Sequence, residues 1–173
     1  EQEKIIASLV LKDKNKNVTL FTKNGLTKQV ALKDFEVTRY SKPMTAIKLK
    51  DNDEVISVSN KMYEDTIVVT KEGYALKYST SEIPLVGLRT SGVKSINLGS
   101  NDEVISSFNV DPNKEYITVF TDRNTAKRIK VDEIQKTTRA KKGSLIIKSP
   151  KTKQYNLFRC YNTNSKTIFG ILD

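Results

Sequence analysis

Short runs of β-branched and aromatic residues punctuate the chain. Val18-Thr-Leu-Phe-Thr22, Thr66-Ile-Val-Val-Thr70 and Tyr116-Ile-Thr-Val-Phe-Thr121 have the composition of strands, and each stops at a turn signal. Lys23-Asn24-Gly25 and Lys71-Glu72-Gly73 supply the positive-φ residue of a tight hairpin. Asn124 is suited to the same left-handed conformation in the third case. The return strands are predicted over Leu26–Ala31, Tyr74–Ser79 and 125–130. Leu32–Phe35, 81–83 and 131–134 each fit one helical turn, and none is long enough for a packed helix.

The pattern repeats. Asn52-Asp53-Glu54-Val55-Ile56-Ser57 recurs letter for letter as Asn101-Asp102-Glu103-Val104-Ile105-Ser106, a shift of 49. Phe21-Thr-Lys-Asn-Gly25 matches Val69-Thr-Lys-Glu-Gly73 and, more loosely, Phe120-Thr-Asp-Arg-Asn124. An Arg follows in each copy (Arg39, Arg89, Arg139). Pro43, Gly92 and Gly143 each stand four residues before an isoleucine, Ile47, Ile96 and Ile147. The boundaries expected are 13–61, 62–110 and 111–160 for three repeats, with 1–12 the end of a preceding copy and 161–173 the start of another. The chain therefore reads as part of something longer. Four strands in about 50 residues, repeated, is the arithmetic of a propeller blade.

Composition narrows the function. The 173 residues include no histidine, which removes His-based nucleophile activation, His general bases and almost every zinc site. There is no GxxxxGK[ST] loop and no GxGxxG turn, so an ordinary enzyme is not expected here. No apolar run approaches the ~18 residues of a membrane span, and no Met-initiated signal peptide is present. A single cysteine fits a reducing compartment, and the cytoplasm is the expected location. Thirty basic against twenty acidic residues give a net charge of +10, which points to a polyanionic partner. Residues 121–160 hold twelve basic and three acidic side chains, so nine of the ten excess charges sit in this stretch of the third repeat.

These motifs resemble the C-terminal domain shared by the A subunits of bacterial DNA gyrase and DNA topoisomerase IV. The resemblance rests on T-K-x-G-x-x-x, then K-D-F or S-E-I, then an Arg-containing loop, then I-x-L-x-x-x-D-E-V-I-S, and it covers nearly the whole chain. It implies an all-β fold, a β-pinwheel of four-stranded blades that exchange strands with their neighbours, present here as about three to four blades. It also implies a basic outer rim that binds and bends duplex DNA without reading sequence. Gyrase domains carry a Q-R-R-G-G-R-G box in one blade loop. The loops at Arg39–Met44, 89–94 and 139–143 do not match that box, which places the resemblance on the topoisomerase IV side and leaves a gyrase-type wrapping domain as the alternative. No cofactor is expected in this domain. The resemblance assigns a tyrosine nucleophile and Mg²⁺ to a catalytic core, and ATP to a partner subunit of a heterotetramer.

The DNA-binding candidates are Lys28, Arg39, Lys42, Lys77, Arg89, Lys94, Arg123, Lys127, Arg128, Lys130, Arg139, Lys141, Lys142 and Lys148. Arg39, Arg89 and Arg139 are expected at equivalent blade positions, as are Lys28, Lys77, Lys127 and Arg128. In a toroid, equivalent positions trace an arc, and an arc of cations matches a curved phosphate backbone. The strongest grip is expected at the third repeat. A protein-interaction platform docking an acidic partner is the competing reading of the same charge. Three features carry no chemistry. Arg39-Tyr40 lies in a loop with no acidic cluster beside it. The Asp53-Glu54 and Asp102-Glu103 pairs recur as turn and strand-start residues, suited to salt bridges with a neighbouring blade. Cys160 reads as a small core residue of a strand.

Overall fold

The computed structural model describes residues 4–10, 16–36, 41, 43–50, 52–148, 150 and 154–170. Among them lie twelve strands: β1 (Asn17–Thr22), β2 (Leu26–Ala31), β3 (Val55–Ser59), β4 (Asp65–Thr70), β5 (Tyr74–Ser79), β6 (Val93–Lys94), β7 (Val104–Asn109), β8 (Tyr116–Thr121), β9 (Ala126–Lys130), β10 (Lys136–Thr137), β11 (Ser144–Leu145) and β12 (Leu157–Thr163). Three short 3₁₀ turns, Leu32–Phe35, Thr80–Glu82 and Val131–Glu133, follow the second strand of each hairpin. The predicted hairpins form as expected, turning at Gly25 (φ 79°), Gly73 (φ 92°) and Asn124 (φ 58°). Each turn is closed by its third residue's N–H donating to the last threonine carbonyl of the first strand, at 3.1 Å in all three.

The strands assemble into three sheets, ordered β3-β1-β2-β6, β10-β5-β4-β7 and β12-β8-β9, with β11 also pairing β5. Each hairpin is therefore lined on its inner side by a later strand of its own repeat. In the first two sheets its outer side is covered by short strands of the next repeat. The inner strands β3, β7 and β12 stand side by side around an open groove of about 1070 Å³, and among the described residues the three sheets remain separate. At one position all three inner strands skip a residue, between Phe21 and Thr22, Val69 and Thr70, and Leu157 and Arg159. The bulged residues are Ile56, Ile105 and Phe158, so the identical N-D-E-V-I-S segments place an identical bulge.

Burial explains why the strands show no polar-apolar alternation. On the middle sheet Val68, Leu76 and Tyr78 face one way, into a core with Phe21, Ile83, Ile96 and Val104. Ile67, Val69 and Ala75 face the other way, into a core with Ile117, Val119, Ile129, Ile134, Leu157 and Cys160. A strand sandwiched on both faces needs an apolar residue at every position. Cys160 is buried in β12 and its thiol is pushed up by desolvation, in keeping with a core role.

Two glycines hold the sheets together by what they lack. Gly92 (φ 84°) and Gly143 (φ 84°) bring the backbone of one repeat onto the second hairpin strand of the repeat before it. A Cβ at Gly92 would lie 2.5 Å from the Thr27 carbonyl oxygen, and one at Gly143 would lie 2.4 Å from that of Ala75. Just beyond, Ser95 N–H donates to the Gly25 carbonyl (2.7 Å) and Ile146 N–H to the Gly73 carbonyl (2.9 Å). We refer to residues 85–98 and 136–148, and to the equivalent segment 43–50 of the first repeat, as clamps. Gly92→Ala and Gly143→Ala are each expected to cost about 2–4 kcal/mol, from overpacking against backbone and a left-handed φ. Gly87→Ala, where nothing lies within 4 Å, is expected to stay within about 0.5 kcal/mol of the parent. Urea denaturation of the three variants compares them directly.

Candidate nucleic-acid interface

Three of the candidate cations are structural. Lys28 is fully buried, and its ammonium donates to the carbonyls of Leu88 (2.7 Å), Gly87 (2.8 Å) and Thr90 (3.1 Å) and to the Thr90 hydroxyl (3.3 Å). Burial pulls its proton affinity below the ordinary lysine value. Lys77 is 7% exposed and donates to the Val131 carbonyl at 2.9 Å. Arg139 is half-buried. Its backbone N–H donates to the Glu82 carboxylate (2.9 Å), its Nε to the Glu82 carbonyl (3.2 Å), and its guanidinium to the Lys94 carbonyl. All three tie one repeat to the next, and Lys28 and Lys77 are buried away from the outer rim. A buried ammonium needs acceptors, which the clamp backbone supplies to Lys28 and the third 3₁₀ turn to Lys77.

The expected equivalences also shift by one residue. Ladder pairing sets Val93 opposite Thr27 and Ser144 opposite Ala75, which aligns Arg89 with Ala140 and Arg139 with Leu88. Leu88 packs on a further core, of Val18, Leu20, Val30, Leu32 and Ile47, at the place equivalent to the one where Arg139 makes its ties. On the hairpins, Lys28 stands opposite Leu20 and Lys127 opposite Val119, at one position. Lys77 stands opposite Ile67 and Arg128 opposite Thr118, at the next position and on the other face. Arg39 and Lys42, like Tyr40, lie outside the described residues.

What remains exposed forms a row. The clamp segments lie side by side: Lys48 N–H donates to the Thr90 carbonyl (3.1 Å), Ala140 N–H to Ser95 (2.8 Å) and Asn97 N–H to Lys141 (2.9 Å). This brings Arg89, Lys94, Lys141 and Lys142 onto one continuous edge, with Lys148 further along the last clamp. Each is exposed, and none is ion-paired among the described residues. The Lys142 ammonium rests 4.3 Å from the centre of the Tyr74 ring, which restrains it without discharging it. Lys94 reaches only the Asn97 side chain, at 3.4 Å. Lys48 and Lys50, exposed on the first clamp, join the same edge. The repeat motifs do not include them, and their signal was the register: they follow Ile47 as Asn97 and Gly99 follow Ile96.

The charges of the third hairpin lie elsewhere. Lys127 donates to the Ile146 carbonyl (3.0 Å), and Arg128 lies over the Tyr116 ring at 5.4 Å. Arg123 donates to the Gln154 carbonyl (2.9 Å) and lies 5.8 Å from the Tyr155 ring centre. Lys130 is exposed at the end of β9. The paired carboxylates behave as joints. Asp53 and Asp102 each accept from the hairpin turn, at Asn24 N–H (2.8 Å) and Glu72 N–H (3.0 Å). Glu103 bridges Lys23 of the first repeat and Lys71 of the second, at 3.2 Å to both. No group of three or more metal-ligating side chains occurs among the described residues, and no helix among them is long and apolar enough to cross a membrane.

Comparison with known proteins places this geometry. A family profile described as DNA gyrase C-terminal domain, beta-propeller, matches residues 16–60, 64–111 and 115–154. The chain is 37% identical over 170 residues, 96% of its length, to the A subunit of DNA topoisomerase 4 from Streptococcus pyogenes serotype M3, and it spans about 20% of that relative. The crystal structure of the C-terminal domain of DNA topoisomerase IV superposes with a TM-score of 0.86 at 34% identity, covering 90% of this chain and 49% of that one. The DNA gyrase A C-terminal domain superposes at 0.71 with 23% identity, covering 83% and 48%, a likeness of fold alone.

Two outcomes follow from the joints. Lys28→Met leaves carbonyls that had a buried donor without one, and is expected to cost about 2–4 kcal/mol in thermal or urea unfolding. Glu103 is pushed up by burial, but the hydrogen bonds and charges of Lys23 and Lys71 outweigh that and hold its carboxyl below the usual range. Its stabilisation is therefore present above the ordinary carboxylate pKa and lost as pH falls through the depressed one. Glu103→Gln is expected to cost about 0.5–1 kcal/mol at pH 7, and the difference from the parent should shrink as pH falls below the ordinary carboxylate range. Melting curves over a descending pH series check it.

Proposed function

The chain belongs to the DNA gyrase C-terminal domain, beta-propeller family, and from that membership we propose that it binds and bends duplex DNA along its row of clamps. The observation that carries the reading is that row: backbone hydrogen bonds set the clamp segments edge to edge, and the cations they present are free of carboxylate partners among the described residues. A row of ammonium and guanidinium groups on short loops contacts phosphates. No helix longer than the three short 3₁₀ turns is present among the described residues to enter a major groove, so base sequence goes unread and deformability sets any preference.

The energetics are those of counterion release. Each neutralised phosphate contributes a slope of roughly −0.9 to log K against log salt. Five to seven contacts would lower affinity by about 2.5 to 4 decades between 50 and 200 mM salt. Bending a 20–30 bp segment smoothly costs on the order of 1–6 kcal/mol, and the charge-neutralising contacts along the row offset it. The domain then acts as an accessory to a type IIA topoisomerase of the topoisomerase IV kind, in the bacterial cytoplasm. It selects the DNA crossing on which a catalytic core works, in a heterotetramer whose other subunit hydrolyses ATP. Strand breakage and its Mg²⁺ belong to that core.

A fluorescence anisotropy titration of a ~40 bp duplex tests the reading. The parent is expected to bind with a steep salt slope and little sequence dependence. The triple substitution K94Q/K141Q/K142Q should reduce the slope by about three. An unchanged slope would remove the clamp row as the DNA site, and no binding at 50 mM salt would remove the DNA function.

A further inference from the structure

The clamp row carries an apolar side chain at a place where its register calls for a cation. On the first joint Lys94 stands opposite Leu26, and on the second Leu145 stands opposite Tyr74. The two positions are equivalent. Each precedes the residue whose N–H closes on the hairpin turn, Ser95 to Gly25 and Ile146 to Gly73. Lys94 is exposed. Leu145 is 44% exposed, and it belongs to none of the three apolar cores. It sits in β11, which has no partner beyond β5 among the described residues. Outer strands are ordinarily blunted with lysine, and leucine there is a liability unless something covers it.

The other exposed apolar side chains of the row have a simpler reason. Met44 and Leu49 are exposed on the 43–50 clamp, which pairs with no hairpin among the described residues. Leu98, the counterpart of Leu49, packs on a core with Phe21 and Ile96, where a hairpin does lie beneath the clamp. Leu145 is already laddered onto β5 and remains exposed. Its surroundings are cationic. Lys141 and Lys142 precede it on the same clamp, and the Lys142 ammonium rests 4.3 Å from the centre of the Tyr74 ring, the residue opposite Leu145. Cross-strand partners share a face, so the leucine, the half-buried ring and the ammonium form one surface. Lys94 stands on the neighbouring clamp, which is tied to this one through Ala140 N–H to Ser95 and Asn97 N–H to Lys141.

We propose that Leu145 is a wedge: on duplex DNA held by the row, it enters between two stacked base pairs and kinks the helix at that step. The inference rests on the DNA-binding reading above and assigns the bend to a residue. Phosphate contacts from Lys94, Lys141 and Lys142 press the duplex against this surface without reading it. A leucine among them gains nothing from phosphate oxygens, and the interior of the base stack is the apolar environment that duplex DNA can offer it. Apolar side chains inserted in this way come from the minor groove and kink the duplex by roughly 20–90° towards the major groove. Part of the bend is therefore concentrated at the 136–148 clamp. Pyrimidine–purine steps unstack most readily, so TA and CA steps are favoured at Leu145, while the contacts on either side stay indifferent to sequence. The preference is one of deformability, in keeping with a site that has no base-reading helix.

A ~30 bp duplex with one TA step, its adenine replaced by 2-aminopurine, reports unstacking of that step as a gain in fluorescence. Saturating it with the 173-residue chain is expected to raise the signal about threefold. Leu145→Ala is expected to cut the rise to below about 1.5-fold while leaving the salt slope of binding unchanged, because no phosphate contact is removed. Leu145→Lys gives this clamp the residue that the other carries at the same position, and so guards against a folding defect. It is expected to abolish the rise and to steepen the salt slope by about one. A rise that either variant retains overturns the wedge. A flat signal in a bound complex, with binding followed by anisotropy, overturns the wedge alone and leaves the DNA function standing. Absence of binding by the parent at 50 mM salt would strike that function and the wedge with it.

Discussion

The architecture of this molecule depends on the outer edge of the first and second hairpins being closed by the backbone of the repeat that follows. A two-stranded hairpin is marginal alone, and its free edge carries unpaired N–H and C=O groups. Here the edge is satisfied across the repeat boundary, through Ser95 to Gly25 and Ile146 to Gly73. The approach is close enough that only glycine fits at positions 92 and 143. Because the contact joins consecutive repeats, it sets the order of the sheets, and with that order the two double-sided cores. It also lays the clamps beside one another on one edge.

The same constraint sorts the lysines into two populations. A clamp that arrives over a strand turns its carbonyls inward, and the Lys28 ammonium satisfies them from below, as Lys77 does the first carbonyl of the next repeat's 3₁₀ turn. The side chains on the clamp's far side turn outward, and these include Arg89, Lys94, Lys141 and Lys142. A basic residue's role is thus set by which side of the clamp it occupies. Net charge counts both populations together and so overstates the cation supply available to a polyanion.

Much of the fold was legible because it is local. The turn glycines, the β-branched runs and the 3₁₀ turns agree with the observed elements to within a residue or two. The N-D-E-V-I-S duplication carried even the bulge at Ile56 and Ile105. The interface was less legible. Treating Arg89 and Arg139 as equivalent failed by one residue, because the Arg recurs at a spacing of 50 while the clamp glycines recur at 51. In a strand-paired segment that single step moves a side chain to the opposite face. Lys48 and Lys50 leave no mark on the repeat pattern for the converse reason: they sit in register, and no charge appears at the matching Asn97 and Gly99.

The amino-acid sequence by itself determined the strand content, the repeat, the turns and the sign of the charge, since each is written in propensities and spacings that act over a few residues. Only the tertiary structure decided which cations face solvent. That choice depends on contacts between residues some sixty positions apart, such as Lys28 with Gly87, Leu88 and Thr90. An ammonium reads the same in a sequence whether it meets water or three carbonyls, and the desolvation that separates the two exists only once the next repeat has closed over it.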